Sequence, residues 1–278
     1  MCAAQPAPFG PLGEIELLAD EDRPGGWLLL IDRIRQSYID LEDPTYLDFE
    51  YIQAFADVVD ALPPGPLHVT HVGGGGCTFA RYVSATRPRS THVVLEPDAA
   101  VTAFVRARLP FARGTKIKIR AEDGRRGIAK LASGSADVLV LDAFHGGRVP
   151  AEVTTTEFVA DVVRVLAPYG VLLANVADGP PVSYTRRLAV TLAEHFRSVL
   201  VVAEPAVLRG RRHGNVVMAA GRELPIAAVR RASARAAFPR SVTAGEGLRR
   251  FAAGARPLTD AASMRSPIPP DDMWRVGD

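Results

Sequence analysis

Short apolar runs alternate with segments of helical periodicity along most of the chain. Apolar runs of four to six residues, bounded by Gly, Pro, Asp or Asn, predict strands. They cover 67–72, 91–95, 116–120, 136–141, 170–175, 199–202 and 215–219. Apolar residues at helical spacing predict helices between them, for example over 156–166, and one over 47–62 before the first of these strands. Alternating strands and helices indicate a mostly parallel sheet with helices on both faces.

The last two of these strands are joined by a loop, so one of them is expected to be antiparallel. We therefore predict an α/β fold with a Rossmann-like, seven-stranded methyltransferase-type sheet. Two further short strands, over 26–32 and 36–40, are joined by a polar turn and predict a short N-terminal β segment. The expected organisation is a disordered tail over 1–13, a small β segment over 14–45, a Rossmann-like domain over 46–254 and a C-terminal tail over 255–278.

The composition is that of an ordinary soluble protein, with 47% hydrophobic and 23% charged residues. No run of 18 apolar residues predicts a membrane span, and the N-terminus lacks a secretory signal pattern, so we expect a cytoplasmic protein. A net charge of +2 with scattered arginines does not favour nucleic-acid binding. The two cysteines lie in unrelated contexts, and no Cys/His spacing matches a zinc site, so no metal is expected.

Glycines and carboxylates follow four of the predicted strands. They are Gly73–Gly76, Glu96, Asp123 and Asp142. In open parallel sheets, ligands bind beyond the carboxyl ends of the strands, near the point where strand order reverses. A glycine run lets the backbone approach a ligand closely, although by itself it fits a tight turn equally well. The four features together predict a site for a nucleoside-type cofactor, an S-adenosylmethionine derivative.

Each carboxylate has a chemical interpretation and a simpler alternative. Glu96, 20 residues after Gly76, fits an acceptor for ribose hydroxyls, whereas a solvated strand-end glutamate is the alternative. Asp123 followed by Gly124 fits an acceptor for an adenine amino group, and it also fits a helix N-cap. Asp142 fits a general base that positions an amine, a role that the nearby His145 could share.

The motifs at these strand ends resemble those of the spermidine synthase family of aminopropyltransferases. The motifs are Val72-Gly73-Gly74-Gly75-Gly76, Leu95-Glu96-Pro97-Asp98, Glu122-Asp123-Gly124 and Val140-Leu141-Asp142. The resemblance implies transfer of an aminopropyl group from decarboxylated S-adenosylmethionine to a small-molecule amine, without a metal. It implies that Glu96 binds the ribose, Asp123 the adenine, and that Asp142 takes the proton of the attacking amine. It also implies a homodimer.

The resemblance further implies an acceptor site formed by the N-terminal strand pair, the first helix and the loop after Asp142. Its expected members are Gln36, Tyr46, Glu50 and His145. Some positions depart from the family pattern: Gly76 stands where an aspartate is expected, Phe49-Glu50 where Tyr-Gln is expected, and His145 near the place of a second aspartate. These departures keep two alternatives open, a methyltransferase that uses intact S-adenosylmethionine and a non-catalytic binding or scaffold protein.

Overall fold

The computed structural model of the chain describes residues 13–270 and 273–276. The tail expected over 1–13 therefore lies, apart from Gly13, outside the described residues. The described chain forms a three-stranded sheet and an eight-stranded sheet. None of its helices is long and apolar enough to cross a membrane.

The small sheet is antiparallel and consists of β1 (Ile15–Ala19), β2 (Gly26–Ile31) and β3 (Ile34–Asp40), in that order. β2 and β3 are the two predicted N-terminal strands. Asp32 and Arg33 form the polar turn between them with φ values of 51° and 62°. Positive φ at both central residues is the geometry that matches the twist of a tight hairpin. β1 was not predicted, and it is held by antiparallel pairing along its whole length with β2.

The large sheet contains eight strands, which include the predicted parallel ones. They are β4 (His68–Val72), β5 (Thr91–Leu95), β6 (Lys116–Arg120), β7 (Ala136–Leu141), β8 (Leu166–Asp178), β9 (Ser198–Ala203), β10 (Gly214–Gly221) and β11 (Ser241–Ala244). Their order is β11-β9-β10-β8-β7-β4-β5-β6. The strands from β8 to β6 run parallel, and β10 is antiparallel to both β8 and β9.

The predicted fold class is confirmed, but the strand count was wrong by one. The eighth strand, β11, pairs antiparallel with β9 at the edge of the sheet. The segment Ser-Val-Thr-Ala is too short and too polar to be recognised as a strand from sequence.

Helices cover both faces of the large sheet. They are α1 (Glu50–Asp60), α2 (Thr78–Thr86), α3 (Ala99–Arg108), α4 (Gly124–Lys130), α5 (Thr156–Val165), α6 (Ser183–His195), α7 (Pro205–Leu208), α8 (Ile226–Arg235) and α9 (Glu246–Phe251). Two short 3₁₀ helices lie at Ala151–Val153 and Asp260–Ala262. Alternate residues of β7 face opposite cores: Leu139 and Leu141 pack with α5 and α6, and Val138 and Val140 pack with Phe55 of α1.

The order of the strands fixes where a ligand can bind. The chain moves from β4 outward to β5 and β6, then returns to β7 on the other side of β4. The reversal between β4 and β7 opens a crevice at their carboxyl ends, which is where open parallel sheets bind ligands. The amide of Asp142, just after β7, donates to the carbonyl oxygen of Val72 at 2.9 Å and holds the two strand ends together there.

The C-terminal segment, residues 255–270 and 273–276, lies along the large domain and returns to the small sheet. Arg187 of α6 donates to the carbonyl oxygens of Arg256, Pro257 and Ala262 at 2.9 to 3.0 Å. At its far end, Arg275 forms an antiparallel bridge with Ile34 at the start of β3. The segment therefore connects the large domain with the small sheet.

Two buried histidines form a polar chain inside the sheet core. Nε2 of His71 on β4 lies 3.1 Å from Nδ1 of His92 on β5, and Nε2 of His92 lies 3.1 Å from Oγ of Ser84 on α2. Burial lowers the pKa of His71 well below its usual range and lowers that of His92 to about 4. Both rings are therefore neutral in the folded protein at neutral pH.

We predict that His71 and His92 contribute free energy of unfolding that is lost as the pH drops below about 6.5. The unfolded chain then binds protons on histidines that the folded protein keeps neutral, and for His92 this loss continues until about pH 4. The full difference for His92 is on the order of 3 kcal/mol. Denaturant unfolding of wild type and His92→Gln between pH 7 and 4.5 measures it. The free energy of unfolding of wild type relative to that of the variant should fall between pH 7 and 4.5, and a constant difference would contradict the prediction. His68→Gln, at the exposed start of β4, is the surface-histidine control for the same measurement.

Candidate active site

A cavity of about 880 Å³ lies between the carboxyl ends of the large sheet, the small sheet and the start of α1. Its floor is formed by residues that follow β4, β5, β6 and β7. The predicted Gly73, Gly74, Gly75, Glu96, Asp123, Gly124 and Asp142 all line it. The structure thus brings the four predicted strand-end features to one site.

The glycine loop after β4 is tightly packed on both sides. A Cβ atom at Gly73, whose φ is +83°, would overlap the carbonyl oxygen of Asp142, so only glycine allows the two strand ends to approach so closely. Gly76 faces the small sheet, where its amide donates to Oγ of Ser37 at 3.0 Å. A Cβ atom at Gly76 would overlap Cδ1 of Ile39. Gly76, expected to bind the cofactor, is therefore packed against β3 and is not among the residues that line the cavity.

Glu96 is held by backbone amides. Oε2 accepts from the amide of Gly74 at 3.2 Å, and Oε1 accepts from the amide of Asp98 at 3.0 Å. Burial raises the pKa of Glu96, and these amides oppose that rise by stabilising the carboxylate. Each carboxylate oxygen can accept two hydrogen bonds, so the group retains acceptor capacity toward the cavity.

Asp123 caps α4, which is the simpler of its two predicted roles, and it also lines the cavity. Its Oδ1 accepts from the amide of Arg126 at 3.0 Å and caps α4. Gly124 is buried, and a Cβ atom there would overlap Cγ1 of Val72, so α4 packs directly on β4. The carboxylate and its helix start therefore form the far end of the cavity, next to β6.

Asp142 lines the cavity and is held by two neutral donors. The Tyr51 hydroxyl donates to Oδ2 at 3.0 Å, and Nδ2 of Asn175 donates to Oδ1 at 3.0 Å. Burial raises the pKa of Asp142 to about 6, although both hydrogen bonds act to lower it. Burial, together with the nearby Asp142 carboxylate, raises the pKa of Tyr51 well above its usual range, so the phenol keeps its proton.

The sequence interpretation did not name Asn175 as a site residue and placed the tyrosine position at Phe49. The signal for Asn175 was present, because it is the one polar residue in the apolar run 170–177. In the sheet, Leu141 pairs with Ala174, so the next residues, Asp142 and Asn175, are neighbours. α1 begins at Glu50, three residues later than predicted, and this start turns Tyr51 toward Asp142.

Three of the four expected acceptor-side residues line the cavity, namely Gln36, Glu50 and His145. Gln36 is the unpaired residue of a β-bulge, since Leu29 pairs with Ser37 and Leu30 with Arg35. Bulges commonly redirect a side chain beside a functional site. His145 begins a tight turn, closed by its backbone hydrogen bonds with Arg148.

Tyr46 is the exception among the expected acceptor-side residues. The guanidinium carbon of Arg23 lies 3.7 Å from the centroid of its ring, and Tyr38 contacts the ring edge-on. Tyr46 therefore packs within the small sheet and its following loop, and the structure does not bring it to the cavity.

Among the described residues, no three His, Cys, Asp or Glu side chains are grouped so that they could bind a metal ion.

Comparison with known proteins identifies relatives of this fold and site. No family model matches the chain. The polyamine aminopropyltransferase of Chromobacterium violaceum is 31% identical over 194 residues, which cover 68% of this chain and 70% of the relative. The chain belongs to the polyamine aminopropyltransferase family. The resemblance to the spermidine synthase family is thus confirmed.

Solved structures agree with this membership. The probable spermidine synthase of Corynebacterium glutamicum superposes with a TM-score of 0.83 at 31% identity, covering 91% of this chain and 97% of that chain. Human methyltransferase-like protein 13, solved in complex with SAH, gives a TM-score of 0.54 at 21% identity over 63% of this chain and 83% of its own. The second likeness shows the methyltransferase-type fold alone.

The environment of Gly76 distinguishes this chain from the family pattern. The side chain of an aspartate at this position would need the space that Ile39 occupies. Ser37 adds to the crowding, with its Cβ atom 3.1 Å from the position of a Cβ at Gly76. The absence of an aspartate at residue 76 and the presence of Ile39 on β3 are therefore linked, because both side chains would occupy the same space.

We predict that Gly76→Asp lowers the free energy of unfolding by about 1–3 kcal/mol, because the added side chain overpacks the contact with Ile39. Ile39→Ala should also destabilise, by about 2–5 kcal/mol, because it leaves a cavity. The double variant should be more stable than the sum of the two effects predicts, since each change relieves the other. Denaturant unfolding of the four proteins gives the coupling energy. Strict additivity would show that residues 39 and 76 do not compete for space.

Proposed function

We propose that this protein transfers an aminopropyl group from decarboxylated S-adenosylmethionine to an amine acceptor. The observation that carries the proposal is that Asp142 lines one cavity together with the predicted nucleoside residues Glu96 and Asp123 and the expected acceptor-side residues Gln36, Glu50 and His145. Membership in the aminopropyltransferase family supports the same reaction.

In this reaction the nitrogen of the acceptor attacks the methylene carbon beside the sulfonium of the donor. The new C–N bond forms as the C–S bond breaks, methylthioadenosine leaves, and the attacking nitrogen gives its proton to Asp142. The sulfonium is already an activated leaving group, so the protein mainly has to orient the reactants and provide one base. A carboxyl with a pKa of about 6 is ionised at neutral pH and can accept that proton.

The nucleoside end of the cavity fits an S-adenosylmethionine-related ligand. Glu96 retains acceptor capacity for ribose hydroxyls, and Gly73, Gly74 and Gly75 allow a ligand to approach the backbone closely. Asp123 can accept from an adenine amino group while it caps α4, because its carboxylate has more acceptor positions than the cap uses. The methyltransferase-type neighbour solved with SAH is consistent with this class of ligand.

A methyltransferase reaction with intact S-adenosylmethionine is the second candidate, and the packing at Gly76 favours it. No carboxylate at position 76 is available to hold the donor's amine or to repel a methionine carboxylate. Calorimetric titration with the intact and decarboxylated compounds separates the two functions. Tighter binding of the decarboxylated compound supports aminopropyl transfer, and tighter binding of the intact compound supports methyl transfer.

The wild-type protein is expected to release methylthioadenosine from decarboxylated S-adenosylmethionine with putrescine as the first acceptor tested. Asp142→Asn should lower kcat by about 100-fold to 10,000-fold, because the amide cannot take the proton. Chromatographic measurement of methylthioadenosine checks both results, and binding of methylthioadenosine to the variant confirms that its cavity is intact. No product with any amine at millimolar concentration would reject the proposed function.

The acidic limb of the pH profile of kcat/KM should report Asp142, rising through about pH 6 in the wild type. Asn175→Leu should move that limb to higher pH, because it removes a donor that stabilises the carboxylate. Asn215→Leu is a matched control, since Asn215 lines the same cavity and none of its described contacts is with Asp142. An acidic limb that stays in place in Asn175→Leu would show that Asn175 does not set the pKa of the base.

A further inference from the structure

The end of the C-terminal segment is fixed to both sides of the cavity. The buried Ser266 exchanges hydrogen bonds with Val149: its Oγ accepts from the Val149 amide at 2.8 Å, and its amide donates to the Val149 carbonyl oxygen at 3.3 Å. Farther along, the amide of Arg35 on β3 donates to the carbonyl oxygen of Trp274 at 2.9 Å. The amide of Val276 donates to the carbonyl oxygen of Arg33 at 3.0 Å. These backbone contacts set the position of Trp274.

Trp274 lines the cavity between the loop after Asp142 and β3. Its Cδ1 lies 3.9 Å from the position that a Cβ atom would take on Gly147, two residues beyond His145. Its backbone pairs with Arg35, the neighbour of Gln36. The indole therefore lies at the acceptor end of the cavity, across from the nucleoside residues that follow β5 and β6.

The indole ring gains no hydrogen bond from this position. Its Nε1 is buried without a hydrogen-bond partner among the described residues. A buried unpaired donor is unfavourable and is rare in folded proteins, so such a group calls for a reason beyond its own bonding. The ring is held in place by the backbone contacts of its segment, and it is available for contact with a ligand in the cavity that it lines.

We propose that Trp274 binds the acceptor, and that its ring packs against the alkyl chain and ammonium group of a protonated alkylamine. The inference rests on the proposed function, which requires an amine at this end of the cavity. Tryptophan is the side chain best suited to a cation–π contact, and its ring also shields an alkyl chain from water. Here the binding energy comes from an aromatic face, so the acceptor end needs fewer carboxylates than the family pattern provides.

The charges beside Trp274 are compatible with a cationic ligand. Arg35 lines the same cavity, but Asp48 lies close enough to Arg35 for their charges to interact. Burial raises the pKa of Asp48, and Glu50 raises it further while Arg35 lowers it. The carboxylate of Asp48 therefore partly offsets the positive charge of Arg35 beside a bound ammonium.

The chain offers a matched spectroscopic test because it contains only two tryptophans, Trp27 and Trp274. Trp27 lies on β2 and packs against the core of the small sheet. Trp27→Phe leaves Trp274 as the sole indole, and Trp274→Phe leaves Trp27. Putrescine, followed by a panel of protonated alkylamines, should change the emission of Trp27→Phe and leave that of Trp274→Phe unchanged. No response of Trp27→Phe to any amine of the panel would overturn the proposal.

Kinetics supply the second readout. Trp274→Ala should raise the KM for the acceptor by about tenfold and leave the KM for the donor within about twofold. Trp274→Phe, which keeps an aromatic ring, should recover most of the acceptor affinity. Unchanged methylthioadenosine binding in both variants confirms that the cavity is folded. An equal rise in both KM values, or no rise in the KM for the acceptor, would overturn the assignment of Trp274 to the acceptor.

The two readouts separate this inference from the proposed function. An emission change with an amine, in a wild-type protein that turns over no amine, supports acceptor binding by Trp274 and counts against aminopropyl transfer. Turnover of an amine without any emission change in Trp27→Phe supports aminopropyl transfer and overturns the role of Trp274.

Discussion

The contact between Asp142 and its two neutral donors is the interaction on which the site depends. A carboxylate with little water around it requires hydrogen bonds, and Tyr51 and Asn175 supply one to each oxygen. Because neither donor carries a charge, they orient the group without forcing its pKa down as an arginine or lysine would. The three residues come from α1, the end of β7 and β8, so this arrangement forms only when helix and sheet are packed together.

β3 joins the two ends of the cavity. Ser37 and Ile39 hold the glycine loop through Gly76, whereas the bulged Gln36 lines the cavity itself. The neighbouring Arg35 pairs through its backbone with the C-terminal segment. A single strand of the small sheet therefore contacts the glycine loop, lines the cavity and pairs with the C-terminal segment. A shift of this strand would alter all three contacts together.

Sequence periodicity was sufficient to predict the parallel strands and the edge of the sheet at which the carboxylates that follow them lie. Each buried strand has a strong apolar pattern, and the residue after it must lie at the carboxyl edge of the sheet, as Glu96 and Asp142 do. The edge strands β1 and β11 were missed because pairing with a neighbour, and not their own pattern, makes them strands. Tyr46 and Gly76 were placed in the site on the strength of motif position alone. Their actual contacts, with Arg23 and with Ile39, depend on the packing of the small sheet, which local sequence does not encode.

The packing of Ile39 against Gly76 also limits the order in which this site can change. An aspartate at residue 76 and an isoleucine at residue 39 compete for the same space, so residue 76 can accept the acid at a lower cost in stability once residue 39 is smaller. The smaller residue alone leaves an unfilled space in the core of the small sheet and carries its own penalty. Residues 39 and 76, far apart in the sequence, therefore constrain each other through this one contact.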